Sequence, residues 1–402
     1  MSVILSQSSV QIEAREFLKL ATPLAGAQVA QAATGFVDTV MMGWLGQDVL
    51  AAGGLATIIF MAFMMTGTGL ISGVSPLVAE AYGSGQTQRI GQLTRQGLWI
   101  ALLLSIPGMP IIAHLDGLMQ QFGQAETTVA LSDTYLSVMA WGLFPSIAFA
   151  ALRGTIVALS QARPVMFIVV VATLFNAVGN YVLAFGKLGF PEMGIAGLAI
   201  ASVGAHWIMF LSLLAYMLWH KQLNKYSLFQ DLHRLESKIL QQLLWVGGPI
   251  GIAAVLEYGL YTTVSFFMGA LGTPILAAHQ VVSQTVLLLF MVPLAMSYAA
   301  TVRVGQWFGQ QDWKQIRQAA FVSIGLAILF MSITAIVLFT YSRQIAGLYL
   351  DLNNPENTNT LNISISLMKI AAFGLIFDGI QRTAMVFCKV CRILEFQYCW
   401  EL

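Results

Sequence analysis

Three acidic residues lie inside long apolar stretches of the sequence: Asp38, Glu257 and Asp378. A charged residue at the centre of a membrane helix costs about 2.5–3.5 kcal/mol on insertion scales, so such residues usually face an internal cavity. Burial disfavours the ionised form of a carboxyl group, which can then exchange a proton near neutral pH or hold Na+. We therefore predict that these three residues bind Na+ or protons. The alternative for Asp38 is a position near a helix end, where it reaches interfacial water.

Further polar side chains share helical faces with two of these acids. Gln31, Thr34 and Asp38 are spaced i, i+3 and i+7, which places them on one side of a helix. Tyr261 follows Glu257 by one turn. The residues that we predict to line a substrate cavity are Gln31, Thr34, Tyr261, Gln280, Gln284 and Gln381.

A third polar stripe contains no acid. Thr173, Asn176 and Asn180 recur at helical spacing within an apolar run, and their oxygens could complete the shell of a bound cation. For each uncharged residue the alternative is a hydrogen bond between helices. For Asp378 the alternative is an ion pair with Arg382, one turn away.

The sequence shows no arrangement typical of an enzyme. The five histidines make no HExxH or other metal-binding spacing, and no GxxxxGK[ST] phosphate loop occurs. Cys388 and Cys391 form a CxxC pair, but no second Cys or His pair complements it. We predict no enzymatic activity and no cofactor other than a coupling ion, Na+ or H+.

The composition is that of an integral membrane protein. Of 402 residues, 57% are hydrophobic and 9% are charged, whereas a soluble domain carries about 25% charged residues. The net charge of +1 gives no reason to expect nucleic acid as a partner. Ten apolar runs approach the roughly 20 residues that a spanning helix needs: 18–42, 50–75, 96–114, 134–157, 164–186, 194–219, 241–268, 275–300, 319–341 and 362–386.

The basic residues predict the orientation of these spans. All of the 19 lysines and arginines except Lys187, Arg343 and Lys369 lie on one side of the predicted membrane. Cytoplasmic loops carry an excess of such residues. We expect a multi-pass protein of the plasma (inner) membrane with a cytoplasmic N-terminus, and residues 220–240 as a cytoplasmic linker.

The chain contains an internal repeat. One constant shift aligns Pro23 with Pro249, Gln31 with Glu257, and Gly83 with Gly309, without a gap between residues 18 and 92. Such repeats build many transporters, with the binding site near the repeat interface. We predict an N-lobe at 1–219 and a C-lobe at 241–402.

Several motifs together resemble the multidrug and toxic compound extrusion (MATE) family, in particular its NorM-type members. They are FVDTVMMGWLG at 36–46, FNAVGNYVLAFG at 175–186, PIGIAAVLE at 249–257, AAHQ at 277–280 and FDGIQRTAM at 377–385. The resemblance implies an all-α membrane fold of twelve helices in two lobes. It also implies export of cationic, lipophilic organic compounds in antiport with Na+ or H+ by alternating access. By the same resemblance, Asp38, Asn176 and Asn180 match the N-lobe cation positions, and Glu257 and Asp378 match those of the C-lobe.

The sequence departs from this family pattern after residue 385. All three cysteines fall in the last fifteen residues, VFCKVCRILEFQYCWEL begins at 386, and two expected helices do not follow. We expect an incomplete C-lobe with about ten of twelve helices, acting as a monomer in contact with lipid. Two alternatives stay open: a non-functional truncated transporter, and a flippase for lipid-linked precursors. The flippase would require arginines in the cavity to hold phosphate groups.

Overall fold

The structure is a computed structural model that describes residues 7–121, 125–270, 273–349 and 358–401. Within these ranges it describes the backbone alone for 7–9, 254, 258, 261–262, 265–266, 269–270, 273–274, 276 and 382–401. The described residues form α-helices and two short 3-10 helices, and they contain no strand. The predicted all-α fold is therefore confirmed.

The helices follow one another with short connections. In chain order they are α1 (Gln7–Leu45), α2 (Gln47–Ile71), α3 (Val74–Gly83), α4 (Thr87–Ala113), α5 (Asp116–Gln121), α6 (Glu126–Met139), α7 (Leu143–Ala158), α8 (Ala162–Ala184), α9 (Gly194–Trp219), α10 (Ser237–Ala270), α11 (Thr273–Gly309), α12 (Trp313–Thr340), α13 (Ser342–Ala346) and α14 (Thr358–Glu401). The 3-10 helices are Ala140–Gly142, which joins α6 to α7, and Lys221–Tyr226.

Nine stretches of the described chain are long and apolar enough to cross a membrane, where the sequence predicted ten. The missing one is the predicted span 18–42 in α1. This helix is 39 residues long, but Gln28, Gln31 and Asp38 interrupt its apolar residues and lower its mean hydropathy. The helix α1 thus fails the hydropathy criterion for a membrane span because it carries the same polar residues that suggested a functional site.

The helix bounds follow the internal repeat. The shift that aligns Pro23 with Pro249 also moves the bounds of the α2–α3 pair, Gln47 and Gly83, onto those of α11, Thr273 and Gly309. Likewise α10 corresponds to α1. The copies differ just after α2, where the first copy breaks into two helices while α11 continues.

The described chain divides into two compact units. One contains the described residues up to Val29 and from Leu256 onward, and the other contains Ala30–Val255. The two division points, after Val29 and after Val255, are themselves equivalent positions of the repeat. Each unit therefore receives one part of α1 and one part of α10. The predicted lobes 1–219 and 241–402 stay a prediction, because they rest on the repeat rather than on this packing.

The unit Ala30–Val255 is built around α7, most of whose residues are buried. Ile147 and Leu152 of α7 are fully buried, together with Leu77 of α3, Leu93 of α4 and Leu136 of α6. Helix α8 pairs with α9 at the side of this core. The pair matters for the candidate site, because both helices contribute side chains to it.

The segment that follows α9 is attached to α4 of the same unit. Trp99 donates its indole N–H to the carbonyl of Leu232 at 2.8 Å. Arg95 donates to the carbonyl of Ser227 at 3.1 Å. Linker residues 227–236 therefore run along α4 and are held by its side chains.

The other unit has an apolar core between α11, α12 and α14. It contains Val281 of α11, Met331 and Leu338 of α12, and Met368 and Leu375 of α14. This core holds the helix that carries Asp378.

Candidate cation site

Asp38 lies on α1, and α8 and α9 supply its hydrogen-bond donors. The side-chain amide of Asn180 donates to Asp38 Oδ1 at 2.5 Å. The hydroxyl of Ser202 donates to Asp38 Oδ2 at 3.3 Å. Each carboxylate oxygen thus accepts a bond from a different helix.

Asn176 closes this arrangement into a ring. Asn176 and Asn180 are one turn apart on α8, and both are 0% exposed. Asn180 Nδ2 donates to Asn176 Oδ1 at 3.2 Å, and Asn176 Nδ2 donates to Ser202 Oγ at 3.0 Å. The predicted stripe on α8 and the predicted acid on α1 therefore belong to one network.

The network extends to α6 and α2 through Tyr135. This phenol is 2% exposed; it interacts with the hydroxyls of Thr57 and Ser202 and lies within electrostatic reach of Asp38. The sequence did not single out Ser202, Tyr135 or Thr57. Each is an isolated hydroxyl in an apolar helix, and no spacing links it to an acid on another helix.

The carboxylate has no basic partner, since none of the salt bridges among the described residues involves Asp38. Removing a carboxylate from water without a counter-charge is costly, because hydrogen bonds replace only part of its hydration. In addition, Asn180 Oδ1 is buried and has no hydrogen-bond donor within the part of the chain that the structure describes. A proton on Asp38, or a cation shared by the carboxylate and this amide oxygen, would complete the site.

The donor set fits a hard cation. Carboxylate and amide oxygens are the ligands of hard ions such as Ca2+ and Mg2+, and the same oxygen chemistry suits Na+. No group of three or more histidine, cysteine, aspartate or glutamate side chains suitable for a metal ion occurs among the described residues. The site therefore combines one acid with amides and hydroxyls.

Two further predicted residues lie close to Asp38 along α1. Thr34, one turn earlier, shares a hydrogen bond of 2.9 Å with Thr173 of α8, and Thr173 also donates to the carbonyl of Ala30. Thr34 thus makes a hydrogen bond between helices, which the sequence analysis gave as the alternative to a role in the substrate cavity. Gln31 is partly buried about one turn before Thr34, and its role stays a prediction.

The remaining predicted residues belong to the other unit. Glu257 on α10 and Asp378 on α14 are both partly buried, while Gln280, Gln284 and Gln381 are exposed. The side chain of Tyr261 lies outside the described residues. A second cation site at Glu257 and Asp378 stays a prediction.

Nine apolar helical stretches of the described chain are long enough to cross a membrane, and a partly buried carboxylate lies among them in a ring of amides and hydroxyls. These features define the class of this chain as a multi-pass membrane protein. The MatE family model matches residues 23–182 and 249–396. The chain belongs to the MatE family, which confirms the resemblance drawn from the motifs. The match extends beyond residue 385, into the segment that the sequence alone set apart.

Named relatives support this assignment. The chain is 78% identical over 384 residues to a probable multidrug resistance protein NorM of Synechocystis sp., covering 96% of this chain and 83% of the relative. It is 48% identical to a protein of the same name from Synechococcus sp., covering 94% and 81%. The fold is similar to a crystal structure of a mutant of the Vibrio cholerae MATE transporter VcmN, with a TM-score of 0.84 at 19% identity, covering 96% of this chain and 85% of that one.

Proposed function

We propose that this protein is a secondary active multidrug exporter, which moves cationic, lipophilic organic compounds in antiport with Na+ or H+. The observation that carries the proposal is the Asp38 network: among the described residues this acid has no basic partner, and it is bonded to Asn180, whose own buried side-chain oxygen has no donor there. The multidrug resistance names of the relatives support the same conclusion. The coupling ion is the cargo of this site and not a resident cofactor.

The network gives the two ionisation states of Asp38 different partners. The carboxylate accepts bonds from Asn180 and Ser202, whereas a protonated acid has one oxygen that must donate instead. Binding of Na+ or H+ therefore changes both the charge of the site and the hydrogen bonds between α1, α8 and α9. One elementary charge moved through about 100 mV is worth about 2.3 kcal/mol, which is enough to drive export against a gradient.

We propose that Glu257 and Asp378 contribute to a second cation-coupling site. They belong to the repeat copy that does not contain Asp38, so each half of the molecule would contribute a charge that ion binding can change. The proposed substrate cavity contains Gln31, Thr34, Tyr261, Gln280, Gln284 and Gln381. The proposed setting is the plasma (inner) membrane, with the N-terminus cytoplasmic and the protein monomeric.

The test uses purified protein in liposomes with a fluorescent organic cation and imposed Na+ or proton gradients. We expect gradient-driven dye movement by the unsubstituted protein and its loss in Asp38→Asn, since the amide cannot take up a proton or balance a cation. Asp48→Asn is the matched control, because Asp48 is an exposed acid in the first turn of α2. Dye movement that ignores both gradients, or equal activity of the two variants, would contradict the proposal.

A further inference from the structure

Within the part of the chain that the structure describes, the repeat relates two contacts between its copies, which we call junctions. In one, the first half of α10 packs on the end of α2, with a close contact at Gly69 and Gly251. In the other, the beginning of α1 packs on the end of α11, through Glu13 and Arg303. The repeat relates α1 to α10 and the α2–α3 pair to α11, so these are copies of one junction.

The first junction depends on glycine. A Cβ atom on Gly69 would lie 2.5 Å from Gly251 Cα, and one on Gly247 would overlap the carbonyl oxygen of Leu70. Neither atom could be accommodated without moving a helix backbone. A Cβ on Gly73 would likewise lie 3.1 Å from the Cβ of Val246. We name Gly69, Gly73, Gly247 and Gly251 the glycine seam.

The second junction is closed by a buried ion pair. Arg303 donates from Nε to Glu13 Oε1 at 2.7 Å and from Nη2 to Glu13 Oε2 at 2.5 Å. Trp307 donates its indole N–H to the same Oε2 at 3.1 Å, and Gln306 accepts from Arg303 Nη1 at 3.1 Å. Glu13 is only 3% exposed. We name this pair the Glu13–Arg303 latch.

The repeat shows that the two junctions use different chemistry. The seam positions correspond to alanines in the other copy: Ala21, Ala25, Ala295 and Ala299. The latch positions correspond to Ile239 and Leu77, which cannot form an ion pair. One junction therefore holds by backbone contact at glycines, and the other by charge.

From these contacts we infer that the glycine seam and the Glu13–Arg303 latch are the contacts that separate when the transporter changes the side to which its cavity opens. This inference rests on the proposed function, because alternating access moves one repeat copy against the other. Bonds within one copy, such as those of Asp38 with α8 and α9, can persist through that movement. Bonds that join the copies cannot all persist.

The latch controls how readily the second junction opens. A bidentate arginine–carboxylate pair is directional and stronger than a neutral hydrogen bond. Removing one partner leaves the other charge buried without compensation, which is strongly destabilising. Glu13→Gln therefore weakens the closed junction, and exchange of the two charges in Glu13→Arg with Arg303→Glu restores an ion pair.

The first experiment cross-links the two sides of the glycine seam with a reversible disulfide. The native cysteines Cys388, Cys391 and Cys399 are first replaced by serine. Gly73→Cys is then combined with Val246→Cys. The distance between the Cβ atoms of these two positions is 3.1 Å, which is close to the roughly 3.5–4.5 Å found in a disulfide. We expect oxidation to stop dye movement and a reducing agent to restore it.

The control pair for this experiment is Gly97→Cys with Ala151→Cys. Their Cβ atoms would be 3.3 Å apart within one repeat copy, so this pair should cross-link without loss of transport. Full transport with the Gly73–Val246 cross-link formed would overturn the inference.

The second experiment requires no transport. The three native cysteines are again replaced by serine, and Val246→Cys provides a single thiol that is labelled with a maleimide in liposomes. We expect this thiol to be labelled about tenfold faster when Glu13→Gln or Gly247→Ala is added. A tenfold change corresponds to a shift of about 1.4 kcal/mol in the equilibrium between the closed and the open junction. The matched controls are Glu16→Gln, whose carboxylate pairs with Lys19 at the surface, and Gly248→Ala, whose new Cβ meets nothing within 4 Å.

The labelling result separates the inference from the proposed function. If Glu13→Gln labels faster than Glu16→Gln in a protein that moves no dye, the junction opens as inferred and the export proposal fails. The inference is overturned, even in a protein that moves dye, if Glu13→Gln is labelled at the same rate as Glu16→Gln and Gly247→Ala is labelled no faster than Gly248→Ala.

Discussion

At the scale of single residues, Ser202 connects the two halves of the Asp38 network. Its hydroxyl donates to Asp38 and accepts from Asn176, so both its proton and its lone pair are used. This position lies on α9, whereas the acid and the amides lie on α1 and α8. A change at one hydroxyl therefore alters the contacts of three helices.

We predict that Ser202→Ala weakens the use of the coupling ion about tenfold or more. The substitution removes the donor to Asp38 Oδ2 and leaves the amide of Asn176 buried without this acceptor, at a cost of about 1–3 kcal/mol. The measurement is the Na+ or proton concentration that gives half-maximal dye transport. Ser202→Thr keeps the hydroxyl and should behave like the unsubstituted protein. An unchanged half-maximal concentration in the alanine variant would show that the network has no role in coupling.

The sequence predicted part of this site. Asp38, Asn176 and Asn180 could be found because a charge or amide within an apolar helix is conspicuous by itself. Ser202 and Tyr135 could not, because small hydroxyls are common in membrane helices and only tertiary packing brings them to Asp38. Thr34 makes a hydrogen bond between helices, with Thr173 of α8, and its place in the substrate cavity stays a prediction.

At the scale of helices, the hairpin of α8 and α9 sets the register of the site. Gly197 of α9 approaches the backbone of α8 so closely that a Cβ would lie 2.6 Å from the carbonyl carbon of Leu183. Further along the same helix, α9 presents Ser202 to Asn176. The close approach and the hydrogen bond thus belong to the same helix contact.

We predict that Gly197→Ala destabilises the protein by about 1–3 kcal/mol, the usual cost of forcing an extra carbon into a packed contact. It should also reduce coupled transport, since α9 must move away from α8 and take Ser202 with it. Thermal unfolding in detergent measures the stability. Gly54→Ala is the control, because its new Cβ meets nothing within 4 Å. A Gly197 variant as stable as the Gly54 variant would contradict the close approach.

The attachment of the linker to α4 gives a second prediction at this scale. Arg95 is buried and holds the carbonyl of Ser227, with Glu236 at 3.9 Å from its guanidinium. We expect Arg95→Gln to release residues 227–236, so that trypsin cleaves after Arg234 several times faster than in the unsubstituted protein. Limited proteolysis of protein in liposomes measures this rate. The exposed Arg163 offers the control Arg163→Gln, and equal cleavage of both variants would show that Arg95 does not hold the linker.

At the scale of the whole molecule, the helix bounds agree between the two repeat copies, whereas the compact units do not coincide with the copies. The bounds of α11 follow from those of α2 and α3, because similar sequences form similar helices. The compact units divide α1 after Val29 and α10 after Val255, a division that the repeat does not indicate, and the predicted lobes stay a prediction. Which helix segments pack together depends on contacts such as the glycine seam, and these have no signal in a single apolar helix.

The two copies are also chemically unequal. The repeat places Val264 at the equivalent of Asp38, and Gln31 at the equivalent of Glu257. The acids of the two copies therefore do not occupy equivalent positions of the repeat. This inequality allows the Asp38 site to be tested by itself on the intact protein.

An ion that binds only the folded protein raises its stability by mass action, by about 2.7 kcal/mol when its concentration is about 100 times the dissociation constant. If Na+ is the coupling ion, we predict that replacing choline chloride with NaCl at equal ionic strength raises the melting temperature. Asp38→Asn should lose that rise, while Asp48→Asn keeps it, because Asp38 is bonded to the amide of Asn180, whose side-chain oxygen has no donor within the described part of the chain, whereas Asp48 is an exposed acid of α2. If H+ is the coupling ion, the two salts give equal melting temperatures, and the difference between the two variants appears instead as pH is varied. A rise with Na+ that survives in Asp38→Asn would place the ion elsewhere, and the acids of the other copy would be the next to replace.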